Sequence, residues 1–132
     1  MIYEIKLNIK KYATLNIYTT SEDIKNKLID IKSSIKRTIP VTDASWKMVD
    51  KKDICFYDAI IINESSSKSM NYDIQNNVAL LNIINDDIRF PDLVYIALSM
   101  FSKVLARQQK YLLHSSSLVH PSNNGFVLVG EA

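Results

Sequence analysis

The segment between Leu93 and Leu105 constrains the fold of this 132-residue chain more than any other. Apolar residues are so dense there that, on a helix, they would cover more than half of its circumference. Pro91 and Asp92 suit a first helical turn, which predicts a helix over residues 92–108. Such a helix is expected to be buried on several sides, between a sheet and other elements. Its apolar residues are Leu93, Val94, Ile96, Ala97, Leu98, Met100, Phe101, Val104 and Leu105.

The first third of the sequence predicts two strands followed by a shorter helix. Apolar and polar residues alternate over 2–9 and again over 15–19, which is the period of a strand with one buried face. The stretch Thr20-Ser21-Glu22-Asp23 offers a hydroxyl cap and acidic residues for a helix N-terminus. The helix would end before Pro40. Its apolar stripe is Ile24, Leu28, Ile31 and Ile35.

The middle third predicts an antiparallel sheet. Residues 46–49 and 54–62 are rich in β-branched and aromatic types. Segments 70–75 and 78–84 flank Asn76-Asn77, and asparagine tolerates the positive φ that a tight hairpin needs. We therefore expect a mixed α+β or α/β fold, with an α+β region over 1–85 and a second unit over 86–132.

Composition excludes several classes of function. The net charge of +2, with acidic and basic residues interleaved, does not favour a nucleic-acid partner. No apolar run approaches the ~20 residues that a membrane helix needs, and the N-terminus lacks the apolar centre of a signal peptide. The only cysteine, Cys55, lies in an apolar run and predicts a buried, inert thiol. Together these features predict a cytoplasmic protein.

Several side chains have an ordinary structural interpretation. Lys25 belongs to a basic cluster that predicts a solvated helix face. Trp46, Phe56 and Tyr57 are expected in the core, although they would also suit a pocket wall. No set of histidines and cysteines has the spacing of a metal site, so we predict no metal ligands in this chain.

The end of the sequence carries its most specific chemical signal. The only two glycines, Gly125 and Gly130, bracket the apolar run Phe126-Val127-Leu128-Val129. Glycine at both ends of one strand indicates unusual backbone angles there. An apolar strand that ends in glycine is also how a phosphate-binding loop begins, with the pattern G-x-x-x-x-G-K-[ST]. Gly130, Glu131 and Ala132 match only its first three positions.

Residues 112–132 resemble the HPr kinase-like family of bacterial serine kinases. The resemblance lies in Leu113-His114-Ser115-Ser116-Ser117-Leu118-Val119, a short Asn/Gly turn, and Gly125-Phe126-Val127-Leu128-Val129-Gly130-Glu131-Ala132. In that family a similar strand, turn and strand lead into the phosphate-binding loop of a nucleotide-binding core like that of phosphoenolpyruvate carboxykinase. The resemblance implies that residues 86–132 are the start of such a kinase-like core, and that 1–85, which carry no motif of the family, are a variable N-terminal α+β region.

The resemblance implies a site and its cofactors. Gly130, Glu131 and Ala132 would open the phosphate loop, and His114 would lie near the active site. ATP and Mg²⁺ would be the cofactors of the intact protein, whereas this chain alone, which lacks the loop's lysine and hydroxyl residue, is expected to bind neither. The sequence is then expected to stop inside the loop.

Two functions follow as expectations. The first is the N-terminal part of an ATP-dependent serine kinase, with a protein or peptide that carries the acceptor serine as its partner. A chain without the rest of the core would also self-associate through exposed apolar faces. The second is a non-enzymatic module that binds a peptide or partner, for example by adding a strand to a sheet edge.

Overall fold

A computed structural model describes residues 1–30 and 41–111 of the chain, and the backbone of two further strands at 115–119 and 125–129. The described part contains eight strands and two α-helices. In chain order they are β1 (Ile2–Ile9), β2 (Ala13–Thr19), α1 (Glu22–Ile29), β3 (Asp43–Val49), β4 (Ala59–Glu64), β5 (Ser69–Asp73), β6 (Val78–Ile83), α2 (Phe90–Ala106), β7 (Ser115–Val119) and β8 (Gly125–Val129).

Six of the strands form one mixed sheet in the order β3-β1-β2-β4-β6-β5. β1 pairs antiparallel with both β2 and β3, and β5 pairs antiparallel with β6. β4 lies in the centre and is parallel to both of its neighbours, β2 and β6. The two edges of the sheet are therefore β3 and β5.

The prediction of an antiparallel middle third is correct for the β5–β6 hairpin and wrong for β4. The run Ala59 to Ile62 is buried on both faces of the sheet, which is typical of a parallel strand in the centre. The predicted strand 54–62 also begins late, at Ala59, because residues 51–53 form a short 3-10 helix and Asp58 has a positive φ of 47°. Local alternation does not reveal which strands will be neighbours.

Both helices pack on the same face of the sheet. α1 contributes Ile24 and Leu28, and its N-cap Ser21 accepts a hydrogen bond from the Ile24 N–H, as the sequence predicts. α2 contributes seven buried residues to the same core. These are Leu93, Val94, Ala97, Met100, Phe101, Val104 and Leu105. Residues 1–85 and the helix α2 therefore share one core, whereas the division at residue 85 into two functional units stays a prediction.

The opposite face of the sheet carries a smaller apolar cluster. Tyr18, Val49, Ala59, Ile61 and Val78 are its buried members. Ile54, from the segment between β3 and β4, packs against them. In the described part of the chain, no helix covers this face, so the fold has two layers there.

The hairpin predicted around Asn76-Asn77 is confirmed. β5 and β6 pair from Ser69 opposite Asn82 to Asp73 opposite Val78. Asn77 has a φ of 53°, in the left-handed region that asparagine adopts more readily than most residues. The side chain of Asp73, the last residue of β5, accepts hydrogen bonds from the backbone N–H groups of Gln75 and Asn76, which closes the turn.

β7 and β8 form a separate antiparallel pair, with Ser115 opposite Val129 and Val119 opposite Gly125. The sequence predicts a strand in each of these two segments, and the predicted turn between them lies outside the described residues. Across the described residues, no helix has both the length and the apolar character needed to cross a membrane.

Candidate functional site

An open groove runs between the edge strand β5 and the outer side of α2. Its volume is about 680 Å³. We call it the β5–α2 groove and define it by its lining residues, which are Met70, Tyr72, Ile74, Ala79, Tyr95, Ile96, Ser99, Met100, Ser102, Lys103 and Ala106.

The groove forms because β5 extends the sheet beyond the part that α2 covers. Met70 and Tyr72 point to the same face as their partners Leu81 and Ala79, which lie in the helix-covered core. Met70 is nevertheless 63% exposed, and Tyr95 on α2 is 66% exposed. Among the residues that the structure describes, α2 is thus buried only where it faces the sheet, and not on several sides as predicted.

Asn77 is hydrogen-bonded to two of the residues that line the groove, Tyr72 and Met100. Its side chain is almost fully buried, and its Nδ2 donates to the Asp58 carboxylate at 2.9 Å and to the Met100 carbonyl at 3.2 Å. Its Oδ1 accepts from the Tyr72 hydroxyl at 2.6 Å. One amide thus ties the β5–β6 turn to the middle of α2, and it fixes the position of the Tyr72 ring.

An ion pair fastens the end of α2 to the same place. Arg107 donates to the Asp58 carboxylate and to the Tyr57 hydroxyl, and its guanidinium lies 4.9 Å from the centroid of the Tyr57 ring. Burial raises the pKa of Tyr72, against the opposing effect of the Arg107 charge. The Tyr72 hydroxyl therefore stays protonated and remains a donor to Asn77 at neutral pH.

The described residues that line the groove carry very little charge. Lys103 is the only ionisable cation among the lining residues, and they include no carboxylate. Within the described part of the chain, Lys103 has no salt bridge or side-chain hydrogen bond. The groove is therefore an apolar surface with a single unpaired positive charge near the end of α2.

A second, smaller pocket adjoins the groove at Met70 and has a volume of about 390 Å³. Its charged residues are already paired, Lys68 with Asp87 and Arg89 with Asp92. The hydrogen bond from Lys68 lowers the pKa of Asp87, and that from Arg89 to Asp92 raises the pKa of the arginine. α2 begins after Arg89 without a side-chain cap, and Pro91 and Asp92 lie in its first turn, as the sequence predicts.

A polar row crosses the other side of the sheet. Glu4 is opposite Tyr18 on β2 and opposite Lys47 on β3. Its Oε2 accepts from the Tyr18 hydroxyl at 3.0 Å, and its Oε1 lies 3.7 Å from the Lys47 ammonium. The Tyr18 hydroxyl in turn accepts from the Cys55 N–H at 3.1 Å. Burial, together with the Glu4 carboxylate, raises the pKa of Tyr18 to about 12, although the Cys55 N–H opposes this rise.

Several side chains predicted to be buried or solvated are placed otherwise. Cys55 is exposed, which contradicts the predicted buried thiol. Trp46, Phe56 and Tyr57 are about half exposed or more, so the expectation of core aromatics is wrong. Lys25, predicted on a solvated face, is buried with its ammonium 4.2 Å from the centroid of the Trp46 ring. A flat aromatic ring attracts a cation, and this contact replaces part of the lysine's hydration.

The site residues predicted from the sequence all lie outside the described residues. These are His114 and the loop positions Gly130, Glu131 and Ala132. Their roles stay predictions. In the segments with described side chains, no group of three or more His, Cys, Asp or Glu residues is arranged to hold a metal ion.

Sequence reasoning did not identify the β5–α2 groove, although a signal was present. Met70, Tyr72 and Ile74 alternate with polar residues in a short strand next to a turn, and Tyr95 adds an aromatic ring to the helix. Only the strand order shows that this alternation lies at an edge. Comparisons with protein families, with curated proteins and with solved structures find no match to this chain.

Proposed function

We propose that this chain is the N-terminal part of an ATP-dependent serine kinase of the HPr kinase-like type. The proposal is carried by one observation, the similarity of residues 112–132 to the strand, turn and strand that precede the family's phosphate loop. The antiparallel pairing of β7 with β8 is compatible with it, since β8 ends at Val129, directly before Gly130.

The proposed reaction transfers the γ-phosphoryl group of ATP to a serine hydroxyl. The serine oxygen forms a bond to the γ-phosphorus, the bond to the β–γ bridging oxygen breaks, ADP leaves, and the hydroxyl proton passes to a base. Catalysis of this kind depends mainly on positioning and on neutralising charge, which bound Mg²⁺ and loop N–H groups supply. Gly130, Glu131 and Ala132 would contribute the start of that loop, and His114 would lie near the reacting groups.

The proposal is tested by comparing two lengths of the protein. The 132-residue chain, titrated with Mg·ATP in a calorimeter, should give no saturable heat. A longer product that includes the codons after Ala132 should bind Mg·ATP and transfer phosphate to serine. In that product Gly130→Val should abolish binding, because a β-branched side chain does not fit a tight phosphate loop, whereas Ser122→Ala, outside the loop, should not.

Two results would contradict the kinase. One is a reading frame after codon 132 that encodes no glycine, lysine and hydroxyl residue in loop spacing. The other is micromolar ATP binding by residues 1–132 alone. Self-association of this chain is part of the same proposal, and light scattering that finds only monomers at all concentrations would count against it.

A second candidate function is a non-enzymatic module that binds a peptide or a partner protein. The observation that favours it is the edge strand β5, whose five residues are all exposed, beside an apolar groove. An edge strand presents unpaired N–H and C=O groups that an extended segment would pair with. A longer product without ATP binding but with peptide binding would favour this candidate over the kinase.

A further inference from the structure

We propose that the β5–α2 groove binds an extended peptide that adds a strand to β5, places apolar side chains at alternate positions against α2, and brings a carboxylate to Lys103. The inference deepens the second candidate function and holds for either candidate, because it requires no nucleotide. Its failure and that of the kinase proposal are separable, since one is read from peptide binding and the other from ATP binding.

The extended conformation follows from the position of β5. One side of β5 is hydrogen-bonded to β6, and in the six-stranded sheet no other strand lies on its outer side. Every second residue of such an edge strand directs its N–H and C=O groups outward. An added strand would satisfy these groups, and its own side chains would alternate between the two faces of the sheet.

The apolar alternation follows from the exposed side chains. Met70 and Tyr72 project from β5 on the helix side, Ile74 follows them in the turn, and Tyr95 rises from α2. Side chains at alternate positions of an added strand would enter the space between these residues and remove them from water. The other half of the peptide's side chains would point to the far face, where Asn71 and Asp73 lie, and would be polar.

A carboxylate in the peptide is inferred from the unpaired charge of Lys103. Lys103 is exposed and is the only charged group among the described residues that line the groove, so an apolar occupant without a carboxylate would leave the ammonium beside an apolar surface. Asp73, the only acidic residue of β5, is paired with Val78 on the opposite face of the sheet. A second copy that paired β5 with β5 would therefore bring Met70, Tyr72 and Ile74 but no carboxylate to Lys103. Charge complementarity thus favours a peptide of different sequence over a second copy.

The test uses the 132-residue chain and a fluorescent eight-residue peptide with Val or Leu at alternate positions, Ser or Thr between them, and a free C-terminal carboxylate. Anisotropy should show saturable binding. The C-terminal amide of the same peptide should bind about threefold to fivefold more weakly, the size expected for one exposed ion pair. Lys103→Gln should remove this difference, and Lys51→Gln, outside the groove, should keep it. A peptide with an internal Asp or Glu in place of the terminal carboxylate tests whether a side-chain carboxylate serves equally.

Two further comparisons test the groove and the added strand. Tyr95→Ser should weaken binding about tenfold or more, as expected when an aromatic contact is lost, and Phe56→Ser, an exposed ring elsewhere, should not. N-methylation of the backbone amides at one set of alternate peptide positions should abolish binding, and methylation of the other set should preserve it.

The proposal is overturned if the peptide shows no saturable binding, or if Tyr95→Ser and Phe56→Ser weaken it equally. It is also overturned if both methylated peptides bind as well as the parent. Sedimentation that shows a dimer, dissolved by Met70→Lys, would assign the groove to a second copy instead.

Discussion

The two edges of the sheet are built differently. Most side chains of β3 are exposed, but two of them have partners on neighbouring elements: Trp46 lies under the Lys25 ammonium and edge-on to Tyr3, with ring centroids 5.7 Å apart, and Lys47 faces Glu4. On β5, Met70 and Tyr72 are also exposed, but they border an open apolar groove. Charged side chains such as Lys47 on an edge strand discourage pairing with another chain, and an apolar edge favours it. This difference is the reason that the proposed peptide binding is assigned to β5 and not to β3.

The largest effect is expected at Asn77, which anchors the open edge. Asn77→Ala should lower the free energy of unfolding by about 2–4 kcal/mol, because the half-buried Asp58 carboxylate and the buried Met100 carbonyl lose a donor and alanine is strained at positive φ. Urea unfolding followed by circular dichroism measures the loss. Asn77→Gly should recover the part of this free-energy loss that comes from the positive φ. Asn76→Ala, in the same turn, should lower the free energy of unfolding much less. Equal losses for Asn76→Ala and Asn77→Ala would show that Asn77 is not the anchor.

The next largest effect is expected at Tyr18 on β2, which Glu4 connects to Lys47 on the edge strand β3. Tyr18→Phe should cost about 1–2 kcal/mol, since it leaves the Glu4 carboxylate and the Cys55 N–H without their shared partner. Tyr3→Phe is the matched control, because its ring has no hydrogen bond through the hydroxyl in the described part of the chain. A Tyr18→Phe variant as stable as Tyr3→Phe would show that the polar row does not support β3.

The same hydroxyl predicts a dependence on alkaline pH. The folded pKa of Tyr18, about 12, lies above its ordinary value of 10, so its contribution to stability is complete below pH 10 and is lost as pH rises towards 12. The difference in unfolding free energy between the native chain and Tyr18→Phe should therefore shrink across this range. A difference that stays constant from pH 9 to 12 would contradict the raised pKa.

A smaller effect is expected where Lys25 covers Trp46. Lys25→Met should lower the free energy of unfolding by about 0.5–1 kcal/mol, the usual strength of a cation–π contact to an exposed ring such as Trp46. Lys27→Met breaks only an exposed pair with Asp23, worth about 0.3–0.5 kcal/mol. Added salt should reduce the loss of unfolding free energy in Lys27→Met and leave the loss in Lys25→Met unchanged, because buried contacts are screened less. Equal salt sensitivity of the two variants would place Lys25 in solvent.

The smallest effect on stability is expected on the exposed edge residues themselves. Met70→Lys on β5 and Met48→Lys on β3 should each change unfolding free energy by less than about 0.5 kcal/mol, since both side chains are exposed. Only Met70→Lys should reduce peptide binding. Reduced binding in the Met48 variant alone would reverse the comparison between the edges.

The local signals of the sequence were mostly sufficient for individual elements. Alternation predicts β1 and β2, Ser21 predicts the start of α1, and Asn76-Asn77 predicts the β5–β6 turn, all of which are confirmed. Each depends on neighbours within a few residues. The candidate groove could not be predicted in this way, because it joins β5 to α2, and the whole of β6 lies between them in the sequence. The resemblance of residues 112–132 to the kinase family rests on the sequence alone, since His114 and Gly130 to Ala132 lie outside the described part.

The sequence by itself determined the period of each element, the turn at Asn77 and the resemblance at the end of the chain. The tertiary structure decided that β4 is a central parallel strand, that Lys25 is buried against Trp46, and that β5 is an open edge beside Lys103. The physical reason is the distance along the sequence over which each kind of interaction acts. Backbone angles and caps depend on adjacent residues, whereas strand order, burial and the pairing of charges depend on which distant segments come together.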